Sequence, residues 1–191
     1  MLDVGYFLRM IEIGLRHRLN RSRKKKKNLW DESVTKGRCG LNDLDINWHM
    51  NNGRYLREAD FSRFTLIIET GLWDALMARR KTEPESYMFA SAIQVQYRQS
   101  VSRGDRFMFT ARLIGWDDHA FYIAQSMILD KNQEVTCSLL ARLTVTPRSL
   151  TPQMLVADAG YGSIESPVLP AVVKNFKENY KLPTITVKSK L

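Results

Sequence analysis

Between Gly53 and Thr70 the apolar residues Tyr55, Leu56, Ala59, Phe64, Ile67 and Ile68 recur at spacings of three and four. That spacing predicts one long helix with a broad apolar face. Further along, the period falls to two. Ile93-Gln94-Val95-Gln96-Tyr97-Arg98 alternates apolar and polar, and Phe107 to Trp116, Ala120 to Leu129 and Val135 to Val145 are rich in strand formers. A chain of 191 residues with this order predicts an α+β fold, in which an antiparallel sheet curves around the helix and buries its face. Asp130-Lys131-Asn132-Gln133 reads as a hairpin turn; Gly104-Asp105 and Trp116 to His119 read as two more, so the four strands are expected to form a meander. Asn52 is the expected N-cap of the helix and Gly71 its C-terminal stop.

Before the helix, Val34 to Leu41 is a short apolar segment leading into a polar loop. After the strands regular patterning is lost. Residues 147–170 hold four of the six prolines and read as an irregular surface wrap, with a short helix from Ala171 to Tyr180. The expected organisation is a segment 1–27, a domain 28–147 and a tail 148–191.

Charge separates these parts. The formal net charge is +9, which at face value points to nucleic acid or an acidic membrane surface. Residues 1–27 hold nine basic and two acidic side chains, or +7, whereas residues 28–180 come to −1. The first segment reads as an amphipathic helix from Leu2 to Leu19, with Leu8, Ile11 and Leu15 on one face and Arg9, Glu12 and Arg16 on another. An Arg/Lys run follows it. Such a pattern suits an anionic membrane surface or a solvated extension. No aromatic residue interleaves 21–27, so nucleic acid is not an expected partner. No stretch reaches the ~18 apolar residues of a membrane span. The chain closes on Ser189-Lys190-Leu191, an address read by the peroxisomal import receptor. The expected location is therefore the peroxisome, with a cytoplasmic membrane surface as the alternative.

The chemistry is concentrated between Asp43 and Leu56, where Asp45, Asn47, His49, Asn51, Asn52, Gly53 and Tyr55 crowd a helix start. An extended loop would point Asp45, Asn47 and His49 to one side. A carboxylate there can act as base or nucleophile, with an imidazole and an amide orienting it. The helix start offers free N–H groups for a developing oxyanion. From chemistry alone, the loop is equally a capping device whose Asp and Asn side chains satisfy backbone groups.

The string Asp43-Leu-Asp45-Ile-Asn47-Trp-His49-Met-Asn51-Asn52-Gly53-Arg-Tyr55 resembles the signature of hotdog-fold acyl thioesterases, both the 4-hydroxybenzoyl-CoA thioesterase-like families and the plant acyl-ACP thioesterases. The stretches from His49 to Phe61 and from Leu113 to Tyr122 are similar to an animal branch of that superfamily. The resemblance runs to about Val145. It implies a single hotdog domain, a long helix wrapped by a curved sheet, pairing as a homodimer or higher oligomer with acyl sites at the seam. It implies hydrolysis of a fatty or aromatic acyl-CoA, with coenzyme A as part of the substrate and no separate cofactor or metal. By resemblance Asp45 is the catalytic carboxylate and Asn47 and His49 its companions. The N–H groups of Asn51, Asn52 and Gly53 polarise the thioester carbonyl, with Tyr55 beside them. Two departures stand out: Ser100 occupies the place of a plant-enzyme Glu, and Asn47 and Trp48 stand where the animal branch has apolar residues. The alternatives are a catalytically weak acyl-binding or membrane-associated protein and, lower, a hotdog dehydratase.

Other residues read as structural. His17 and His119 lack a second ligand at metal spacing. Cys39 and Cys137 are expected to be buried and reduced. Arg98, Arg103 and Arg106 read as surface charges in preference to contacts for a coenzyme A phosphate, and Glu58 and Asp60 read as the polar face of the long helix.

Overall fold

A computed structural model describes residues 4–20 and 26–179. The Ser189-Lys190-Leu191 ending and most of the basic run lie outside the described residues. In chain order the elements are α1 (Val4–Asn20), β1 (Ser33–Arg38), α2 (Asn52–Glu69), α3 (Leu72–Arg79), β2 (Tyr87–Tyr97), β3 (Arg106–Trp116), β4 (Ala120–Leu129), β5 (Val135–Thr146), α4 (Pro152–Val156) and α5 (Ala171–Asn179).

The α+β fold stands as the periodicity predicts, and α2 matches its apolar stripe to within a residue at each end. Asn51 caps it rather than Asn52: its side-chain oxygen accepts from the Gly53 N–H at 2.9 Å. Gly71 follows the helix at φ 77°, a left-handed geometry that costs glycine nothing. The sequence pattern gives no expectation of a second helix after Gly71. Yet Leu72, Ala75 and Leu76 are buried at helical spacing and form α3.

One curved antiparallel sheet carries the strands in the order β1-β3-β4-β5-β2. This corrects the four-strand meander. β3, β4 and β5 do form one, but β2 pairs with β5, with Ile93 opposite Ala141 and Tyr97 opposite Cys137. Gly104-Asp105 is therefore not a hairpin tip; it lies on a connection that crosses from one side of the sheet to the other. Strand alternation reports which face is buried, and it carries no information on which neighbour a strand pairs with. β1 takes the opposite edge, beside β3.

The core lies between α2 and the sheet. One end is built from Leu66, Ile67, Leu113, Phe121, Ile123 and Leu143, the other from Tyr55, Ala59, Phe107, Phe109, Met127 and Leu139. Close approach matters at Gly37, where an added Cβ would lie 2.4 Å from the Phe107 ring. The stretch 147–170 departs from a surface wrap. Leu150, Leu155 and Val156 are fully buried in the core under α3, and Thr151 caps α4 by accepting from the Met154 N–H. Prolines mark a chain that breaks and turns, which says nothing about whether apolar residues between the breaks are buried.

Polar groups also cross the helix–sheet seam. Arg63, buried on α2, donates to Gln125 Oε1 at 2.8 Å, and Gln125 Nε2 donates to the Ala59 carbonyl at 2.7 Å. Asp60 accepts from Arg63 at 3.0 Å and from the Tyr6 hydroxyl. Glu58 is only 3% exposed and takes Arg9 of α1 at 2.8 Å and Arg57 at 3.1 Å. Glu58 and Asp60 thus belong to packed ion pairs, which corrects their reading as a polar face. Charge type does not reveal burial when the partner comes from another helix. Cys39 and Cys137 are buried free thiols, as expected. Burial pushes the Cys39 thiol up to about 11, with Asp43 and Asp105 adding to it, and burial pushes Cys137 up to about 12.

Replacing Gln125 with Leu removes the acceptor of Arg63 inside the seam. The expected loss is ~1–3 kcal/mol, read as a lower urea midpoint at unchanged slope. A second expectation concerns acid. Burial alone would raise the Asp117 carboxyl, but Lys177 at 2.7 Å, the His119 N–H and the Tyr122 hydroxyl outweigh it and hold it at about 2. A depressed carboxyl contributes stability above its unfolded pKa of ~3.9 and loses it as pH falls through the folded value. Stability from the α5 docking should therefore fall between about pH 4 and 2, by on the order of 1 kcal/mol after solvent screening at Lys177. Asp117→Asn should flatten that part of the curve in denaturant melts run across pH.

Candidate functional site

The polar loop ends β1 and feeds directly into α2. Residues Leu41–Asp43 form one 3-10 turn, and the chain then doubles back. Leu44 bridges Met50 and His49 bridges Ser102, both antiparallel. The Asp45 N–H donates to the His49 carbonyl at 2.8 Å, and the Trp48 N–H to the Asp45 carbonyl at 3.1 Å. Asp45 to His49 is thus a tight turn, not the extended strand the alternation suggested. Five residues close on themselves because the Asp45 carboxylate bonds within the turn. Its Oδ1 accepts from the Asn47 N–H at 2.8 Å and the His49 N–H at 3.4 Å. Asp side chains favour this local geometry over extended backbone. Trp48 sits at φ 59°, a region that non-glycine residues rarely occupy.

The two legs of the turn differ in exposure. Asp45 is half-buried, while Asn47, Trp48 and His49 are exposed at the tip. The base is anchored by Asp43, the other carboxylate of the loop. Its side chain is buried, accepts the Gly40 N–H at 2.9 Å and pairs with Arg57 at 2.7 Å. Its carbonyl accepts the Asn51 N–H at 2.8 Å. Asp43 therefore holds the loop to α2, a role that sequence reasoning did not separate from that of Asp45. The available signal was Arg57, one turn into the helix after the loop.

At the helix start the donors are unequal. Asn51 Oδ1 occupies the Gly53 N–H, and the Arg54 N–H donates to the Asn51 carbonyl at 2.8 Å. Among the described residues, the Asn52 N–H has no acceptor. Of the three residues read as carbonyl-polarising donors, Asn51 is thus the cap, Gly53 is engaged by that cap, and Asn52 has the N–H left over.

Tyr55 lies one turn in and is buried. Its ring meets Tyr97 edge-on at 5.2 Å, and its hydroxyl reaches the Gln99 carbonyl at 3.4 Å. Burial is the main cause that pushes the Tyr55 hydroxyl up to about 12, so it stays a neutral donor. Tyr97, the last residue of β2, donates to the Asn52 carbonyl at 3.1 Å. The segment after β2, with Ser100, passes beside the loop, and the Met50 N–H donates to the Val101 carbonyl at 2.8 Å. The structure therefore gathers the loop, the α2 N-terminus and the end of β2. β2 is an edge strand, and Tyr87, Phe89 and Tyr97 along it are exposed.

The family model described as the Thioesterase-like superfamily matches residues 39–171. Protein THEM6 of Xenopus laevis is 35% identical over 173 residues, which is 91% of this chain and 79% of that protein. Among solved structures, Slr0204, a 1,4-dihydroxy-2-naphthoyl-CoA thioesterase from Synechocystis, aligns with a TM-score of 0.53 at 11% identity over 68% of this chain and 96% of that one. A hypothetical thioesterase protein with coenzyme A from Streptococcus pneumoniae TIGR4 aligns with a TM-score of 0.51 at 9% identity, covering 72% and 96%.

Asn51→Ala deletes the cap and frees the Gly53 N–H. It is expected to cost ~1 kcal/mol of stability, measured by chemical denaturation.

Proposed function

Because this chain belongs to the thioesterase-like superfamily and has its hotdog fold, we propose that it hydrolyses a fatty or aromatic acyl-CoA thioester at the turn before α2. One observation carries the reading: Asp45 is a carboxylate fixed by its own turn, in a loop that Asp43 and Arg57 fasten to the N-terminus of the long helix. The CoA-thioester named for the Synechocystis structure and the coenzyme A named for the Streptococcus structure support the substrate class.

In this reading Asp45 attacks the thioester carbonyl or takes the proton from an attacking water. Water and thioester become a free acid and the thiol of coenzyme A. The positive end of α2 and the Asn52 N–H stabilise the oxygen as it becomes negative. Asn47 and His49, exposed at the tip of the same turn, stand where they can contact the incoming thioester. The free edge of β2 supports assembly as a homodimer, because an unpaired edge with exposed aromatics is a pairing surface. Tyr97 ends that strand against Asn52, so a second copy on β2 would bring its surface to the acyl site.

A second reading is binding without turnover. Two points favour it: the Gly53 N–H is already occupied by Asn51, and by the resemblance Ser100 falls where the plant enzymes carry a Glu. A panel of acyl-CoA substrates separates the two. Wild type should release thiol, and Asp45→Asn should retain the fold while hydrolysis falls ~10²-fold or more. Tight acyl-CoA binding with no thiol released at any chain length would establish the binding protein instead.

A further inference from the structure

Helix α1 is mounted with its apolar stripe facing outward. Tyr6, Arg9, Met10, Ile13 and His17 are the less exposed residues along it. Tyr6 stacks on Phe61 at 5.3 Å, and Arg9 lies over the same ring at 4.5 Å while pairing with Glu58. Arg9 also donates to the Lys36 carbonyl at 3.1 Å. These contacts fix the helix by the side that carries Tyr6, Arg9, Met10 and Ile13. The opposite side carries Val4, Phe7, Leu8, Ile11, Leu15 and Leu19, exposed by 64, 49, 62, 56, 52 and 77%. At 100° per residue they share an arc of ~120°. An apolar stripe of this size, interrupted by Arg18 and left in water on the side away from the domain, marks a surface with a partner.

We propose that α1, still docked on the domain, lies in the plane of an anionic membrane and buries this stripe among the lipid chains. Charge selects the occupant. Residues 1–27 carry +7 and residues 28–180 carry −1. A second copy would bring one +7 segment against another, whereas anionic headgroups attract it. Not every cation is available to lipid. Arg9 is held by Glu58, Arg16 by Glu12 and Lys27 by Glu69, and Lys26 lies 3.4 Å over the Tyr161 ring. Arg18, on the stripe, and Arg21, Arg23, Lys24 and Lys25, which follow it in sequence, provide the attraction. The helix lies on the bilayer rather than across it: among the described residues no helix is long and apolar enough to span. Lys26 and Lys27 tie the end of the basic run back to the domain, so the docked protein stays close to the lipid surface.

Vesicle co-sedimentation of the full chain tests this. Wild type should pellet with phosphatidylcholine vesicles containing ~30 mol% phosphatidylserine, and much less with pure phosphatidylcholine, at ~0.1 M salt. The double variant Ile11→Asp, Leu15→Asp should lower the partition coefficient ~tenfold or more, because it places two charges on the buried stripe. Lys24→Gln with Lys25→Gln tests the charge contribution without touching the packed helix, and should weaken binding to the phosphatidylserine vesicles only. Wild type left in the supernatant overturns the proposal, as does equal binding to both vesicle types. So does a double variant that pellets like wild type, or one whose only change is a smaller oligomer by light scattering, which identifies a second copy as the occupant. Thiol release from soluble acyl-CoA is measured alongside, so loss of docking is distinguished from loss of catalysis.

Discussion

Ion pairs and hydrogen bonds along α2 hold this structure in register. A helix can settle on a curved sheet at many rotations if only apolar groups meet, because hydrophobic burial has no direction. Here Arg63, Gln125 and the Ala59 carbonyl form a directional contact at the centre of the seam. Removing any one member strands the others in low dielectric. The rotation of α2 is therefore set, and with it the direction in which its N-terminus faces.

A second set of charges runs from that seam to the loop. Arg9 on α1 meets Glu58, Glu58 meets Arg57, and Arg57 meets Asp43 at the base of the Asp45 turn. These pairs are largely shielded from water, so they hold position better than surface pairs do. The same residues thus fix the outward face of α1 and the anchoring of the loop. Two features that sequence reading treats separately, a basic amphipathic segment and a polar loop, meet on successive residues of one helix.

Much of the fold and part of the site are legible in the sequence, for identifiable reasons. The α2 stripe, the three strands of the β3–β5 meander and the helix at Ala171 all follow from local period. The loop is legible because Asp, Asn and His crowd a helix start, and its resemblance to thioesterases agrees with the family match over 39–171. What is not legible depends on distant partners. Nothing near β2 says it pairs with β5. Nothing near Glu58 says that Arg9, 49 residues earlier, will cover it. Nothing near Leu150 to Val156 says that α3 provides a place to bury them.

The sequence by itself determined the long helix, the strands of the meander, the concentration of charge at the N-terminus and the chemical content of the loop, because period, composition and side-chain type are local properties. Tertiary structure decided the sheet order, the turn that folds Asp45 back onto the N–H groups of Asn47 and His49, and the exchange of capping between Asn52 and Asn51. It also decided that α1 docks through Tyr6, Arg9, Met10 and Ile13 and leaves the stripe from Val4 to Leu19 on the outside. The sheet order and the mounting of α1 are choices among partners far apart in the chain, settled only when all the competing contacts are satisfied together; the Asp45 turn and the Asn51 cap are local hydrogen bonds that side-chain alternation does not reveal.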